Sequence, residues 1–116
     1  MSKDLMLKTI VSLGFKETDA QVYVYLTTEG IQKATDIAEA LKLYKQQLYR
    51  SLKRLQRKGI VNATLERPAQ FSAVSIEKAL DFLIETKKEQ ALTLQASRKE
   101  LLSSWKSMIE KHSEDS

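Results

Sequence analysis

Lys45, Gln46, Gln47, Arg50, Arg54 and Arg57 fall on one side of a run that also carries Leu48, Leu52 and Leu55 at helical spacing. Residues 43–59 hold six Lys or Arg and no acid. The leucines can bury one face of a helix. The other face presents guanidinium and carboxamide groups. Arg can pair bidentately with guanine and Gln with adenine, so such a helix suits the major groove of double-stranded DNA. Base reading is expected near the helix start. Gln46, Gln47 and Arg50 are therefore the candidate base readers, and Arg54, one turn beyond Arg50, could read a base or hold a phosphate. Lys45, Lys53, Arg57, Lys58 and, further along, Arg67 are the candidate phosphate contacts, each displacing condensed counterions. Tyr44 suits either a phosphate or thymine-methyl contact or a role in closing the turn before the helix. Tyr49 neighbours Leu48 and Leu52 and is expected to be packed. Arg67 could enter a minor groove.

The distribution of charge supports a phosphate-facing surface. The chain carries a net charge of +4. Residues 1–30 sum to −1, residues 31–75 to +6 and residues 76–116 to −1. The positive charge is thus focused on the middle third. Other chemistries find no residues. With no Cys there is no disulfide, thiolate metal site or Cys nucleophile. The only His is His112, near the end. Gly14, Gly30 and Gly59 are isolated and build no phosphate loop. The acids are scattered, with no pair for general acid–base work and no metal-ligand cluster. No enzyme activity, cofactor or metal is expected, and the residues name no small-molecule effector. No apolar run approaches a membrane span, and the N-terminus lacks the apolar stretch of a signal peptide. A soluble, cytoplasmic protein is expected.

The elements that must position the basic helix can be read from the boundaries. Gly14 ends a first helix containing Leu5, Leu7, Ile10, Val11 and Leu13. Thr18 can cap a second through Ala20, Val22, Tyr23, Tyr25 and Leu26, which Gly30 stops. Thr35 can cap a short third helix over Asp36–Leu41. A turn at Lys42, Leu43 and Tyr44 leads into the basic helix, which Gly59 ends. Ile60–Leu65 then reads as a strand, Glu66–Ala69 as a turn and Gln70–Val74 as the returning strand. Short helix, turn, basic helix and hairpin together describe a winged helix-turn-helix.

Ser75 can cap one long helix from Ile76 to His112, with Ser113–Ser116 as a frayed end. Alternating spacings of four and three connect Leu80, Ile84, Lys87, Ala91, Leu94, Arg98, Leu101, Trp105, Met108 and His112. Leu80, Ile84, Ala91, Leu94, Leu101, Trp105 and Met108 form the apolar seam. A domain this small cannot cover so long a helix, so a partner helix is expected, with homodimerisation the leading reading. Lys87 and Arg98 interrupt the seam and could help set its register. The fold class is mainly α with a small β-hairpin. Residues 1–75 form the winged helix-turn-helix and residues 76–116 the long helix, a coiled-coil dimerisation element.

Several segments carry a family resemblance. They are Leu13–Tyr23 (LGFKETDAQVY), Ala34–Leu41 (ATDIAEAL), Leu48–Val61 (LYRSLKRLQRKGIV), and Arg67-Pro68 with Phe71–Val74. In this order and spacing they resemble the amino-terminal DNA-binding domain of the TrmB-like transcriptional regulators, a largely archaeal family. The resemblance covers roughly residues 5–90. It implies a dimeric, cytoplasmic, DNA-binding regulator. Larger members carry a carboxy-terminal sugar-binding domain, whereas this sequence ends after a helix, so sugar sensing is not implied. The family's wing often continues with basic residues after Arg-Pro. Here Ala69-Gln70 follows, which leaves Arg67 as the wing contact. Two other readings share the same pattern: a sequence-indifferent chromatin protein, and a winged helix that binds an acidic protein partner within a transcription complex. If the dimer is two-fold, two recognition helices about one DNA turn apart would read a pseudo-palindromic site.

Overall fold

The computed structural model describes residues 2–114. One compact unit ends at Leu83, and the remaining residues form a second. In the first unit, helix α1 (Lys3–Ser12) is capped by Ser2, whose Oγ accepts from the Leu5 N–H at 3.3 Å. Helix α2 (Glu17–Glu29) follows the turn at Gly14 and stops at Gly30, whose φ of 82° suits the residue without a Cβ. Strand β1 (Gln32–Lys33) runs directly into helix α3 (Ala34–Leu41), and helix α4 (Lys45–Arg57) comes after a three-residue turn. Strands β2 (Val61–Ala63) and β3 (Gln70–Ala73) make the hairpin.

The mainly helical fold with a small hairpin is borne out, with one strand added. β1 pairs antiparallel with β3, Gln32 opposite Phe71 and Lys33 opposite Gln70, giving the sheet order β1-β3-β2. Two residues between a glycine and a helix carry too short a pattern for period-two alternation to reveal. The added strand also moves a cap. Lys33, not Thr35, occupies the N-cap position of α3, because the chain passes from ladder to helix without a gap. Likewise Lys16, not Thr18, precedes α2, whose first turn begins just after the buried Phe15. Neither lysine makes a side-chain capping bond, and the acids Glu17, Asp19 and Asp36 occupy the first turns instead.

The two helices of the helix-turn-helix end alike. At the end of α4, Ile60 N–H reaches Leu55 O at 3.1 Å and Gly59 N–H reaches Gln56 O at 3.0 Å, with Gly59 at φ 77°. This is the two-bond glycine motif that closes many helices. At the end of α3, Leu43 N–H reaches Ala38 O at 3.0 Å and Lys42 N–H reaches Glu39 O at 3.4 Å. There the left-handed residue is Lys42, at φ 54°.

The core is built around α2, which buries Ala20, Val22, Tyr23, Val24 and Leu26. α3 adds Ile37, α4 adds Leu48, Leu52 and Leu55, and the hairpin adds Ile60, Val61 and Phe71. Tyr23 donates from its hydroxyl to Val74 O at 2.9 Å, tying α2 to the end of the returning strand, and burial pushes its pKa up to about 12.

Helix α5 (Ile76–Glu114) starts at the expected cap, with Ser75 Oγ accepting from the Lys78 N–H at 3.2 Å. Its opening turns belong to the first unit: Ala79 is buried and Leu83 packs on the core. The first unit therefore extends past residue 75 to Leu83. The second unit, described by itself, is helical from Ile84 to Glu114. Of the expected frayed end, Ser113 and Glu114 are helical, while Asp115 and Ser116 lie outside the described residues.

Candidate nucleic-acid interface

α4 separates its residues cleanly by face. Leu48, Ser51, Leu52 and Leu55 are buried, each at most 1% exposed. Lys45, Gln46, Gln47, Tyr49, Arg50, Lys53, Gln56 and Arg57 are exposed. Three leucines on one stripe anchor the helix and leave Gln46, Gln47 and Arg50 on open surface around its first two turns. No acid lies in the first turn, so the positive end of the helix dipole is not offset there.

Both tyrosines face solvent. Tyr44 holds the N-cap position by its backbone, but its side chain makes no capping bond and is 85% exposed. A phenol is too long to fold back on the first-turn amides, so the capping alternative falls. Tyr49 is 43% exposed, which corrects the expectation that it packs. Leu48 and Leu52 already fill the buried stripe, and Tyr49 lies beside it. The Lys45 ammonium stands 5.9 Å from its ring centroid.

Two of the cations on the basic run are engaged within the fold. The Arg54 guanidinium embraces the Asp19 carboxylate, and the Ser51 hydroxyl donates to Asp19 Oδ1 at 2.6 Å. Asp19 has no exposed surface. Burial alone would raise its carboxyl. The hydrogen bonds from Arg54 and Ser51, with the Arg54 charge, outweigh burial and hold the carboxyl below the usual range. Arg54, a candidate base reader, thus serves as a strut between α2 and α4, with 29% of its side chain still exposed. The Lys58 ammonium sits 4.2 Å from the Phe15 ring centroid and the residue is half-buried, so part of it packs on the α1–α2 turn. Asp19 and Ser51 were missed from sequence. The available signal was a small hydroxyl at a position where the leucine stripe demands burial, together with an acid in the first turn of α2 beside its apolar run.

The wing is closed by two bonds between Thr64 and Gln70. Thr64 N–H donates to Gln70 O at 2.9 Å and Gln70 N–H to Thr64 Oγ1 at 3.0 Å. Beyond them Leu65, Glu66, Arg67 and Pro68 are exposed, Leu65 completely. The strand ends at Ala63, short of the expected Leu65, because nothing pairs with the tip. An open groove of about 490 Å³ runs between the wing and the helix-turn-helix, lined by Ala34, Thr35, Tyr49, Leu65, Arg67 and Phe71 among others. The fold therefore brings Arg67 of the wing and Tyr49 of α4 to the lining of one groove.

Residues 10–77 match the family described as Sugar-specific transcriptional regulator TrmB. The chain belongs to this family. It is a DNA-binding transcriptional regulator with a winged-helix fold. Among solved structures, TrmBL2, titled an archaeal chromatin protein with a novel mode of DNA binding, is 20% identical with a TM-score of 0.78. The alignment spans 90% of this chain and 40% of TrmBL2. A protein from the thermoacidophilic archaeon Sulfolobus tokodaii is 26% identical with a TM-score of 0.62, over 80% of this chain and 98% of that one. A MarR family protein from Bacillus stearothermophilus, 15% identical, shares the fold with a TM-score of 0.54 over 97% of this chain and 84% of that one. No curated protein matches the chain.

The match to the TrmB family ends at residue 77, so the seam of α5 lies wholly beyond it. Its large apolar residues are all exposed, from 41% at Leu80 to 64% at Leu94, and Ala91 is exposed as well. Among the described residues no group of three or more His, Cys, Asp or Glu could hold a metal ion, and no helix is long and apolar enough to cross a membrane.

Proposed function

We propose that this TrmB-family regulator acts in the cytoplasm as a homodimer, and that α4 reads duplex DNA in the major groove through Gln46, Gln47 and Arg50. Lys45, Lys53 and Arg57 hold phosphates on either side, Tyr44 contacts a phosphate or a thymine methyl, and Arg67 reaches the adjoining minor groove. The observation that carries this reading is the division of α4: a fully buried leucine stripe behind an exposed, acid-free face of Lys, Arg and Gln. Amide and guanidinium groups on a rigid helix can pair with base edges in the major groove and so discriminate bases. Homodimerisation rests on the exposed seam of α5, whose Leu80, Ile84, Ala91, Leu94, Leu101, Trp105 and Met108 need a cover. In this role the protein has no catalytic function of its own.

A second reading is a chromatin protein that coats DNA through phosphates. Its support is that Arg54 is committed to Asp19, which shortens the base-reading set, and that TrmBL2, of the same fold, is titled a chromatin protein. Selection of binding sites from random duplex DNA at two salt concentrations separates the two. Enrichment of a two-fold symmetric motif establishes the sequence-reading dimer. Salt-sensitive binding without a motif establishes the coating protein. Absence of binding at low salt overturns both and directs attention to an acidic protein partner.

A further inference from the structure

The seam of α5 contains two cations that a parallel dimer would set against themselves. Ile84, Ala91, Arg98 and Trp105 occupy one seam position of the seven-residue repeat, and Lys87, Leu94, Leu101 and Met108 the other. In a parallel two-fold pair each seam residue stacks on its own copy. Arg98 would then face Arg98, and Lys87 would face Lys87. The positions flanking the seam between residues 84 and 111 hold no acid to neutralise them.

An antiparallel pair takes each cation off its own copy in a single register. When Leu94 of one copy lies opposite Arg98 of the other, Lys87 meets Trp105, Ala91 meets Leu101 and Ile84 meets Met108. Each cation now faces an apolar side chain. The Lys87 ammonium gains an indole face, the best aromatic partner for a cation. The Arg98 stem covers Leu94 while its head reaches water. The small Ala91 is matched by the larger Leu101. Sliding one repeat in one direction sets Arg98 against Lys87. Sliding the other way sets Lys87 against His112 and shortens the overlap. The apolar members of this stretch, from Ile84 to Met108, are each more than half exposed in the single chain, apart from the small Ala91 for which exposure is simply high.

We propose that residues 84–108 of α5 pair antiparallel with a second copy of the chain, Lys87 of each copy lying on Trp105 of the other. This inference rests on the homodimeric reading above and adds its geometry. Such a pairing is isologous, as a two-fold dimer requires. Ile84 of one copy lies opposite Met108 of the other, so the two Ile84 positions are separated by about 36 Å along the helices.

The absence of native cysteine allows a direct test on the full chain. Ile84→Cys and Met108→Cys would be made singly and mixed in a glutathione redox buffer, with sedimentation run in parallel. The expected result is a covalent dimer from the mixture and little or none from either variant alone. The pair Ala91→Cys with Leu101→Cys should repeat the pattern. Self-linkage of Met108→Cys would show a parallel dimer and overturn this inference while leaving homodimerisation intact. A dimeric mass with no disulfide in any combination would overturn the register. A monomeric mass across the concentration range would overturn the homodimer itself.

Discussion

The Arg54 guanidinium and the Asp19 carboxylate, 35 residues apart in the chain, meet in paired hydrogen bonds, Nη2 2.8 Å from Oδ1 and Nε 2.9 Å from Oδ2. A buried carboxylate left alone would be costly, so the fold of α2 requires a donor from α4. Arg54 supplies it while its side chain stays 29% exposed. The bond fixes the rotation of the recognition helix on the core, and with it the direction in which Arg50 points.

Asp19→Ala is expected to destabilise the unit by about 3 kcal/mol, because it leaves Ser51 and the inner guanidinium without their acceptor. Urea denaturation reads the loss. Arg54→Ala should show a comparable loss while the preferred DNA sequence stays the same. A stable Arg54→Ala protein with an altered preference would return Arg54 to the base readers.

Acid should weaken the same joint. The folded Asp19 carboxyl titrates below its unfolded value of about 3.9. Its contribution is therefore complete above pH 4 and is lost as pH falls through the lowered folded value. Stability curves of the native chain and Asp19→Asn, measured from pH 6 downward, should converge in that acidic window. Curves that stay parallel to the lowest pH would remove Asp19 as the titrating group.

On the DNA side, Arg50→Ala should weaken binding to the selected site by about 1–3 kcal/mol and relax preference at one base pair. Lys53→Ala should weaken all sequences alike and make the salt dependence shallower by about one counterion. Binding isotherms over a salt series distinguish the two. Equal losses on specific and random DNA for Arg50→Ala would place it on a phosphate.

Lys42 adopts the left-handed conformation that closes α3, at φ 54°. A side chain there costs roughly 1 kcal/mol. Lys42→Gly relieves that strain against a loss of unfolded-chain stiffness, so a stabilisation of up to about 1 kcal/mol is expected in thermal or urea unfolding. A destabilised Lys42→Gly would mean that the lysine side chain supports the turn.

Much of this architecture follows from local pattern. Gly14, Gly30 and Gly59 stand where helices stop, Leu48, Leu52 and Leu55 define the buried stripe of α4, and Ser75 caps α5. These are period and capping signals, which depend on neighbours along the chain. The two-residue strand β1 escaped because its evidence is the partner Phe71, far away in sequence. The exposure of Tyr49 escaped because adjacency to leucines does not decide on which side of the stripe a ring falls.

The basic run illustrates the division most sharply. Its amino acids alone determined that one helix would carry a concentrated positive face above a leucine stripe, since helical periodicity and charge are properties of that stretch by itself. Only the tertiary structure decided which cations gain a partner within the fold. Arg54 and Lys58 look identical in kind to Arg50 and Lys53 until Asp19 and Phe15 are brought beside them. Those partners come from the α1–α2 region, and a charge is held or left open according to what long-range packing places next to it.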